Sequence, residues 1–398
     1  MTSARHETFD LGPFKGVPRS WCGLWQLSSN AWGSAPVPRI RRCMGEHVQL
    51  GFTAFDMADH YGSAEIIFGQ FRRTLPSPGS VLGATKWCAF KPVTPSRAVV
   101  EAAVRERMHR MQTDRVDLLQ FHWQDYADKG YLTALEVLND LRTEGLITAI
   151  GLCNFDTIRT DEICTQLGRG VIVSNQVQFS LIDTRPLHGM TDVCARHGVK
   201  LLTYGTLCGG FLADRWLDQP EPDLYSGTLT PSQRKYLDMI VKAWGTWALF
   251  QTLLRTLRAI ADRHNNQNQN RQGQVRRQHG PGHQQHNHIN GINGINGIGV
   301  NGINGADAET EEEEDEMLMM EEEVDIANIA TRWVLDQESV GAVILGQRLG
   351  LSSHLASNLS TYACQLTAED HAAIEDVLMR SRGREMITSV GDCGAEYR

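Results

Sequence analysis

Residues 52–65 read FTAFDMADHYGSAE. The apolar run from Phe52 ends on a carboxylate, Asp56, and a tyrosine, Tyr61, follows with Gly62, Ser63 and Glu65 behind it. A strand that finishes on an acid sets that acid at one rim of a sheet. The fold therefore turns on what stands at the same end of the neighbouring strands.

Working outward, seven short β-like runs recur along the chain: TAFDM (53–57), SVLGATKW (80–87), RVDLLQFHW (115–123), ITAIGLCN (147–154), VIVSNQVQ (171–178), VKLLTY (199–204) and VGAVILG (340–346). An eighth is read over Val17 to Gln26. Between them lie segments with helical spacing, such as AVVEAAVRERMHRM (98–111) and LTALEVLNDLRTEG (132–145), and Gly145 and Gly198 stand where helix C-termini need them. Strands alternating with helices imply βαβ units and a parallel sheet. Eight of them predict a closed (β/α)8 TIM barrel, an α/β fold. A doubly wound open sheet is the alternative, but its G-x-G-x-x-G fingerprint after the first strand is missing.

One segment breaks the alternation. Residues 264–323 begin HNNQNQN, pass through the repeat NGINGINGIGVNGING and end in the acid-rich run EEEEDEMLMMEEE. Such a composition buries too little apolar surface to offset ordering entropy, so the segment is expected to be disordered. Helical patterns at 235–264 and 324–338 flank it, the latter leading into VGAVILG, so it reads as an insertion in one domain spanning 1–398. Its histidines (His264, His279, His283, His286, His288) have no regular ligand spacing and do not predict a metal site. An Asn/Gln-rich insertion in a compact domain points to a eukaryotic source. A translated intron is a further reading of the same stretch.

The formal net charge is −9, concentrated in twelve acids between 307 and 325. Without residues 264–325, which also hold three arginines, the chain is formally neutral, so charge argues for neither nucleic acid nor an anionic membrane as partner. Nine cysteines without CxxC pairs and an opening MTSARHETFD without an apolar leader core suggest free thiols in a reducing, cytoplasmic compartment. No run is long enough to span a bilayer. A monomer is the default expectation.

In a parallel barrel the C-terminal strand ends form the catalytic face. Asp56 ends one strand, Lys86 the next and His122 the one after, while Tyr61 lies on the intervening loop. Singly, each has a structural alternative: a cap, an ion pair, a core histidine, a packed ring. Together at one rim they form a candidate site. A phenol is a poor acid or base near neutrality, and a nearby ammonium lowers its pKa. Lys86 supplies that charge, Asp56 holds Lys86, and His122 bonds the phenol or the substrate oxygen. Such a tyrosine protonates an oxygen while hydride reaches the attached carbon, and hydride requires a nicotinamide.

At these residues the chain resembles an aldo-keto reductase, over about 18–263 and 324–380. FDMADHYGSAE resembles the family's D-x-A-x-x-Y-G-x-E signature, and Lys86 and His122 match its other catalytic positions. GLCNF (151–155) resembles the G-x-S-N-F/Y segment, with Cys153 in place of the serine. The resemblance implies that Asn154 and Gln176 hold the nicotinamide carboxamide and Tyr204 stacks on its ring. It further implies a closing loop of Gly205, Thr206, Leu207, Gly209 and Leu212, with Gly205 where a serine is usual. In VILGQRLGLSSHLASNL (343–359) it implies adenosine-phosphate contacts from Gly346, Arg348, Ser352, His354 and Asn358. Arg348 suits a 2′-phosphate, which favours NADPH over NADH. Trp25, Trp87 and Trp123 are read as an aromatic pocket for a small-molecule carbonyl substrate, with core packing as the alternative. A sensor or interaction subunit that binds NADPH with little turnover is the rival to a reductase.

Overall fold

A computed structural model describes residues 6–278 and 323–398. The chain opens with an antiparallel hairpin, β1 (Thr8–Leu11) and β2 (Phe14–Pro18). Eight parallel strands follow: β3 (Ser20–Gly23), β4 (Ala54–Asp56), β5 (Leu82–Ala89), β6 (Val116–Trp123), β7 (Ile147–Cys153), β8 (Ile172–Gln178), β9 (Lys200–Tyr204) and β10 (Val340–Gly346). They close in the order β10-β3-β4-β5-β6-β7-β8-β9, the expected TIM barrel. The strand read over Val17–Gln26 is in fact two pieces. Pro18 ends the hairpin and only Ser20–Gly23 enters the barrel.

Side-chain alternation positions the site. Trp21, Ala54, Ala84, Leu118, Ala149, Leu202 and Ala342 pack with the hairpin's Leu11 and Val17 into one apolar cluster that fills the lower lumen. Successive residues of a strand point to opposite faces. Two residues above that layer, on the same inward face, therefore stand Asp56, Lys86, Gln120, Gly151 and Tyr204, and His122 and Cys153 two higher again. The opposite phase, with Trp87, Leu119, Phe121, Trp123 and Leu152, joins the apolar layer between strands and helices.

The helices start and stop on local signals. Ser96 caps Arg97–Arg110 by accepting from the Val99 amide, and Asp325 caps Ile326–Leu335 in a reciprocal pair with Asn328. Gly198 ends Met190–His197 in the left-handed conformation, φ 72°, as its place in the sequence suggests. The helical stretch read over 235–264 is broken. Pro231–Asp238 runs into a π-helical turn, Met239–Trp244, and Gly245 is extended before Trp247–Gln278 begins.

That last helix carries on into the segment expected to be disordered, because its apolar stripe (Leu253, Leu254, Leu257, Ile260, Ala261) is buried against the barrel and the helix propagates from it. His264 is held by Asp370 at 3.1 Å. The Asn265 amide grips Val324 twice, accepting from its N–H (2.8 Å) and donating to its C=O (3.0 Å). Positions 265 and 324 are thus neighbours, and β10, beyond the insertion, still closes the barrel between β9 and β3. His279, His283, His286 and His288, the Asn/Gly repeat and most of the acidic run lie outside the described residues. Among the described residues no helix is long and apolar enough to cross a membrane.

Candidate active site

The inward layer above the apolar floor is a closed polar cluster. The Lys86 ammonium, buried, donates to Asp56 Oδ2 at 2.6 Å and to the Met57 carbonyl at 2.8 Å, and it lies 3.5 Å from the Tyr61 hydroxyl. The other Asp56 oxygen accepts from Gln120 Nε2 (2.8 Å) and Gln176 Nε2 (2.7 Å), and Gln176 also donates to Gln120 Oε1 at 2.7 Å. A buried ion pair is tolerable only when its remaining donors and acceptors are met, and here they are. Burial works against the Lys86 charge, but Asp56 and Tyr61 more than restore it, so its pKa is raised and the ammonium persists.

Tyr61 departs from the sequence expectation in one respect. Burial pushes its phenol up, and Lys86 pulls it down by less, so the net shift is upward. The hydroxyl is held protonated, with the Lys86 ammonium beside it, where that charge would stabilise a phenolate. The loop that carries Tyr61 is pinned by Glu65, which takes the Thr85 hydroxyl and Arg110 Nε (2.5 Å), and by Asp59, which takes Arg107 Nη2 (2.7 Å) and the Cys88 amide (2.9 Å). Ser63 makes no cap.

His122 Nδ1 lies 3.0 Å from the Cys153 carbonyl. A carbonyl only accepts, so Nδ1 carries the proton and Nε2, buried without a partner among the described residues, presents a lone pair to the site. Burial, the largest cause, depresses the His122 pKa to about 4, so the ring is neutral.

The residues expected to meet the cofactor divide into three groups. Asn154 sits at φ 59° with its amide N–H on the Gln176 carbonyl (2.8 Å), and its Oδ1 accepts from the Tyr204 hydroxyl (2.9 Å). Gln176 is turned down onto Asp56 rather than toward the mouth. In the loop after β9, Gly205 (φ 73°) and Gly209 (φ 65°) have left-handed backbone, Thr206 bonds the Phe179 carbonyl (3.3 Å), and Thr206 and Leu212 are buried, so these two shape the loop while Leu207 is only partly covered. A Cβ on Gly205 would lie 2.1 Å from the Tyr236 hydroxyl, which accounts for the missing serine. At the third group, Gly346 is exposed beside Gln26, Arg348 is exposed with Nε on the Trp32 carbonyl (2.9 Å), and no carboxylate pairs with it among the described residues. Ser352 is half-exposed and His354 exposed, whereas Asn358 is buried in the helix Leu355–Ser360.

The tryptophans do not share one wall. Trp87 and Trp123 lie on the outward phase of β5 and β6, packed with Phe121, and Trp123 donates to the Asp125 and Asp128 carbonyls. Trp25 keeps 37% of its surface exposed and packs on Trp32, so it and Phe90 (49%) are the open aromatics of that rim.

Two features escaped the sequence reading. Gln120 completes the Asp56 cluster; its signal was its place two residues before His122, on the same face. The segment 390–398 crosses the mouth: Glu396 pairs with Arg185 (2.9 Å), the Tyr397 hydroxyl accepts from Lys235 (2.7 Å), Arg398 donates to the Asn154 carbonyl (2.5 Å), and Gly394 lies against Asn154. Nothing local in that segment signals a contact so distant in sequence.

The barrel has counterparts among known proteins. Residues 21–272 match the Aldo/keto reductase family, and the chain belongs to that family. It is 27% identical over 217 residues to aldo-keto reductase YhdN of Bacillus subtilis, covering 51% of this chain and 63% of that one. It is 30% identical over 280 residues to flagellar radial spoke protein 5 of Chlamydomonas reinhardtii, covering 60% of this chain and 51% of that one. The chain thus spans less than two thirds of the length of either relative. A solved aldo-keto reductase from Klebsiella pneumoniae in complex with NADPH superposes with a TM-score of 0.60 at 17% identity, covering 94% of this chain and 95% of that one.

Two outcomes follow from this geometry. The unfolded chain protonates His122 near pH 6.5, the folded one only near 4, so the unfolded state binds more protons in that window and stability falls as pH drops from 6.5 toward 4. Denaturant unfolding of wild type and His122→Asn across that range should differ in slope, the variant sparing about 3 kcal/mol of the acid loss. Gly205→Ser should lower stability by about 1–3 kcal/mol through overpacking against Tyr236, and Tyr236→Phe in the same chain should recover part of it, measured by thermal unfolding.

Proposed function

We propose that the protein is an NADPH-dependent carbonyl reductase that converts an aldehyde or ketone to the alcohol. The observation that carries this is the Lys86 ammonium, fixed to Asp56 at 2.6 Å and standing 3.5 Å from the Tyr61 hydroxyl. A reduced nicotinamide, when bound, supplies hydride to the carbonyl carbon. Tyr61 gives its proton to the carbonyl oxygen, and Lys86 stabilises the phenolate left behind. Asp56, held in turn by Gln120 and Gln176, keeps Lys86 charged and aimed. His122, with only a lone pair toward the site, accepts a hydroxyl hydrogen, from the phenol before transfer or from the new alcohol after it.

The cofactor fits the chain's own groups. Arg348 has its terminal nitrogens free of any carboxylate among the described residues, as a 2′-phosphate requires. Gly205 and Gly209 form a loop backbone that bare glycines allow to approach a pyrophosphate closely. Asn154 and Tyr204, bonded to each other, are the pair that would meet the nicotinamide end.

A second reading, an interaction subunit with little turnover, is favoured by the likeness to a radial spoke protein. The intact tetrad argues for catalysis. Mixed with NADPH and a panel of aldehydes and ketones, the wild type should oxidise NADPH, followed by nicotinamide absorbance. Tyr61→Phe should lower kcat by about 10²–10⁴ with NADPH binding retained. Equal rates would remove Tyr61 as the acid, and NADPH binding without turnover in either would favour the second reading. Arg348→Ala should raise KM for NADPH by about tenfold, the worth of one charge-assisted bond, and leave KM for NADH unchanged.

A further inference from the structure

We propose that Asp59, His60 and Cys88 form a binding site for a thiophilic divalent cation of the zinc class at the rim of the catalytic pocket, and that the bound ion suppresses turnover. The site is assembled across two strands: Asp59 and His60 follow β4, and Cys88 lies on β5. One ligand atom from each residue lies within 4.8 Å of the others. Tetrahedral zinc with Zn–N, Zn–O and Zn–S bonds of roughly 2.0–2.3 Å sets its ligands roughly 3.3–3.8 Å apart. Closing the group therefore needs a movement of about 1 Å, within reach of the exposed His60 ring.

The carboxylate is already oriented for this. Asp59 Oδ2 is tied to Arg107 Nη2 (2.7 Å) and to the Cys88 amide (2.9 Å), while Oδ1 faces His60 Nδ1 at 3.1 Å. Arg107, itself buried, plays the part of the outer partner that fixes a ligating carboxylate. Bonding the Cys88 amide to the same carboxylate brings its sulfur to the cluster. Cysteine, imidazole and carboxylate together suit zinc over magnesium or calcium, and three protein ligands leave a fourth position to water. The Cys88 thiol is pushed up by burial and by Asp59, so binding replaces the S–H proton with the metal and releases it. The nearby Lys86 and Arg107 charges oppose a cation and hold the affinity to a moderate value.

His60 also connects to the chemistry. Its ring packs edge-on against Tyr61 (4.8 Å between centroids) and Phe90 (5.0 Å), and Phe90 packs on His122 (5.4 Å). Drawing His60 toward Cys88 shifts the ring between the proposed proton donor and the open aromatic of the rim. The inhibitory half of the proposal rests on the reductase reading; the binding half does not.

The test is a Co2+ titration of the full chain, followed by the thiolate-to-cobalt charge-transfer band and then displaced with Zn2+. Wild type and Cys43→Ser, which alters another partly exposed thiol, should show the band with one ion per chain, and Cys88→Ser should lack it. His60→Ala should weaken Zn2+ by at least the ~10–100-fold that even outer partners contribute. No band in the wild type, or an unchanged band in Cys88→Ser, overturns the site whether or not any carbonyl substrate is found. In the NADPH assay, Zn2+ should inhibit the wild type and spare Cys88→Ser. A band with undiminished turnover overturns the inhibitory half.

Discussion

The Asp56–Lys86 pair is the constraint on which the rest of the site depends. Two opposite charges are buried in the barrel lumen, and each would be costly alone; removing one partner of such a pair costs about 3–5 kcal/mol. The neighbourhood is built to keep them. Gln120 and Gln176 satisfy one Asp56 oxygen, the Met57 carbonyl takes a Lys86 proton, and Gly151 has no side chain, where a Cβ would lie 2.5 Å from Ser174 Oγ and 3.3 Å from the Gln120 side chain. Tyr61 is then delivered to the ammonium by a loop locked through Glu65 and Asp59 to the neighbouring helix.

The division between structural and chemical residues follows strand alternation. On β5 and β6 the inward residues are Ala84, Lys86 and Cys88, and Leu118, Gln120 and His122, running from apolar floor to reactive rim. The outward ones, Thr85 and Trp87, Leu119, Phe121 and Trp123, face the helices. A tryptophan next to the rim histidine in sequence is therefore on the other side of the sheet wall. The same rule makes Cys88 and His122 register partners across β5 and β6, which puts a thiol beside the rim histidine.

The loop after β9 and the insertion show two ways of accommodating change. Where Tyr236 fills the space beneath the loop, the residue above it is Gly205, and the backbone path is kept without the side chain. At the insertion, Asn265 joins its entry to Val324, so the closing strand β10 stays in register with β3 whatever lies between.

The sequence by itself determined the barrel, because eight apolar strand runs alternating with helical stretches allow few arrangements, and it determined the rim set of Asp56, Tyr61, Lys86 and His122, because strand ends share one face. The expected cofactor contacts came only from family resemblance. Tertiary structure decided what depends on packing and distance. It moved the start of β3 to Ser20, since Val17 and Pro18 pair with β1 in the hairpin, and carried the helix from Trp247 to Gln278, since its buried stripe propagates it. It added Gln120 and the 390–398 segment to the site, fixed the His122 tautomer through the Cys153 carbonyl, and raised the Tyr61 pKa, because burial outweighed the neighbouring ammonium. None of these is a property of local residue pattern, and each follows from which groups lose water when the barrel closes.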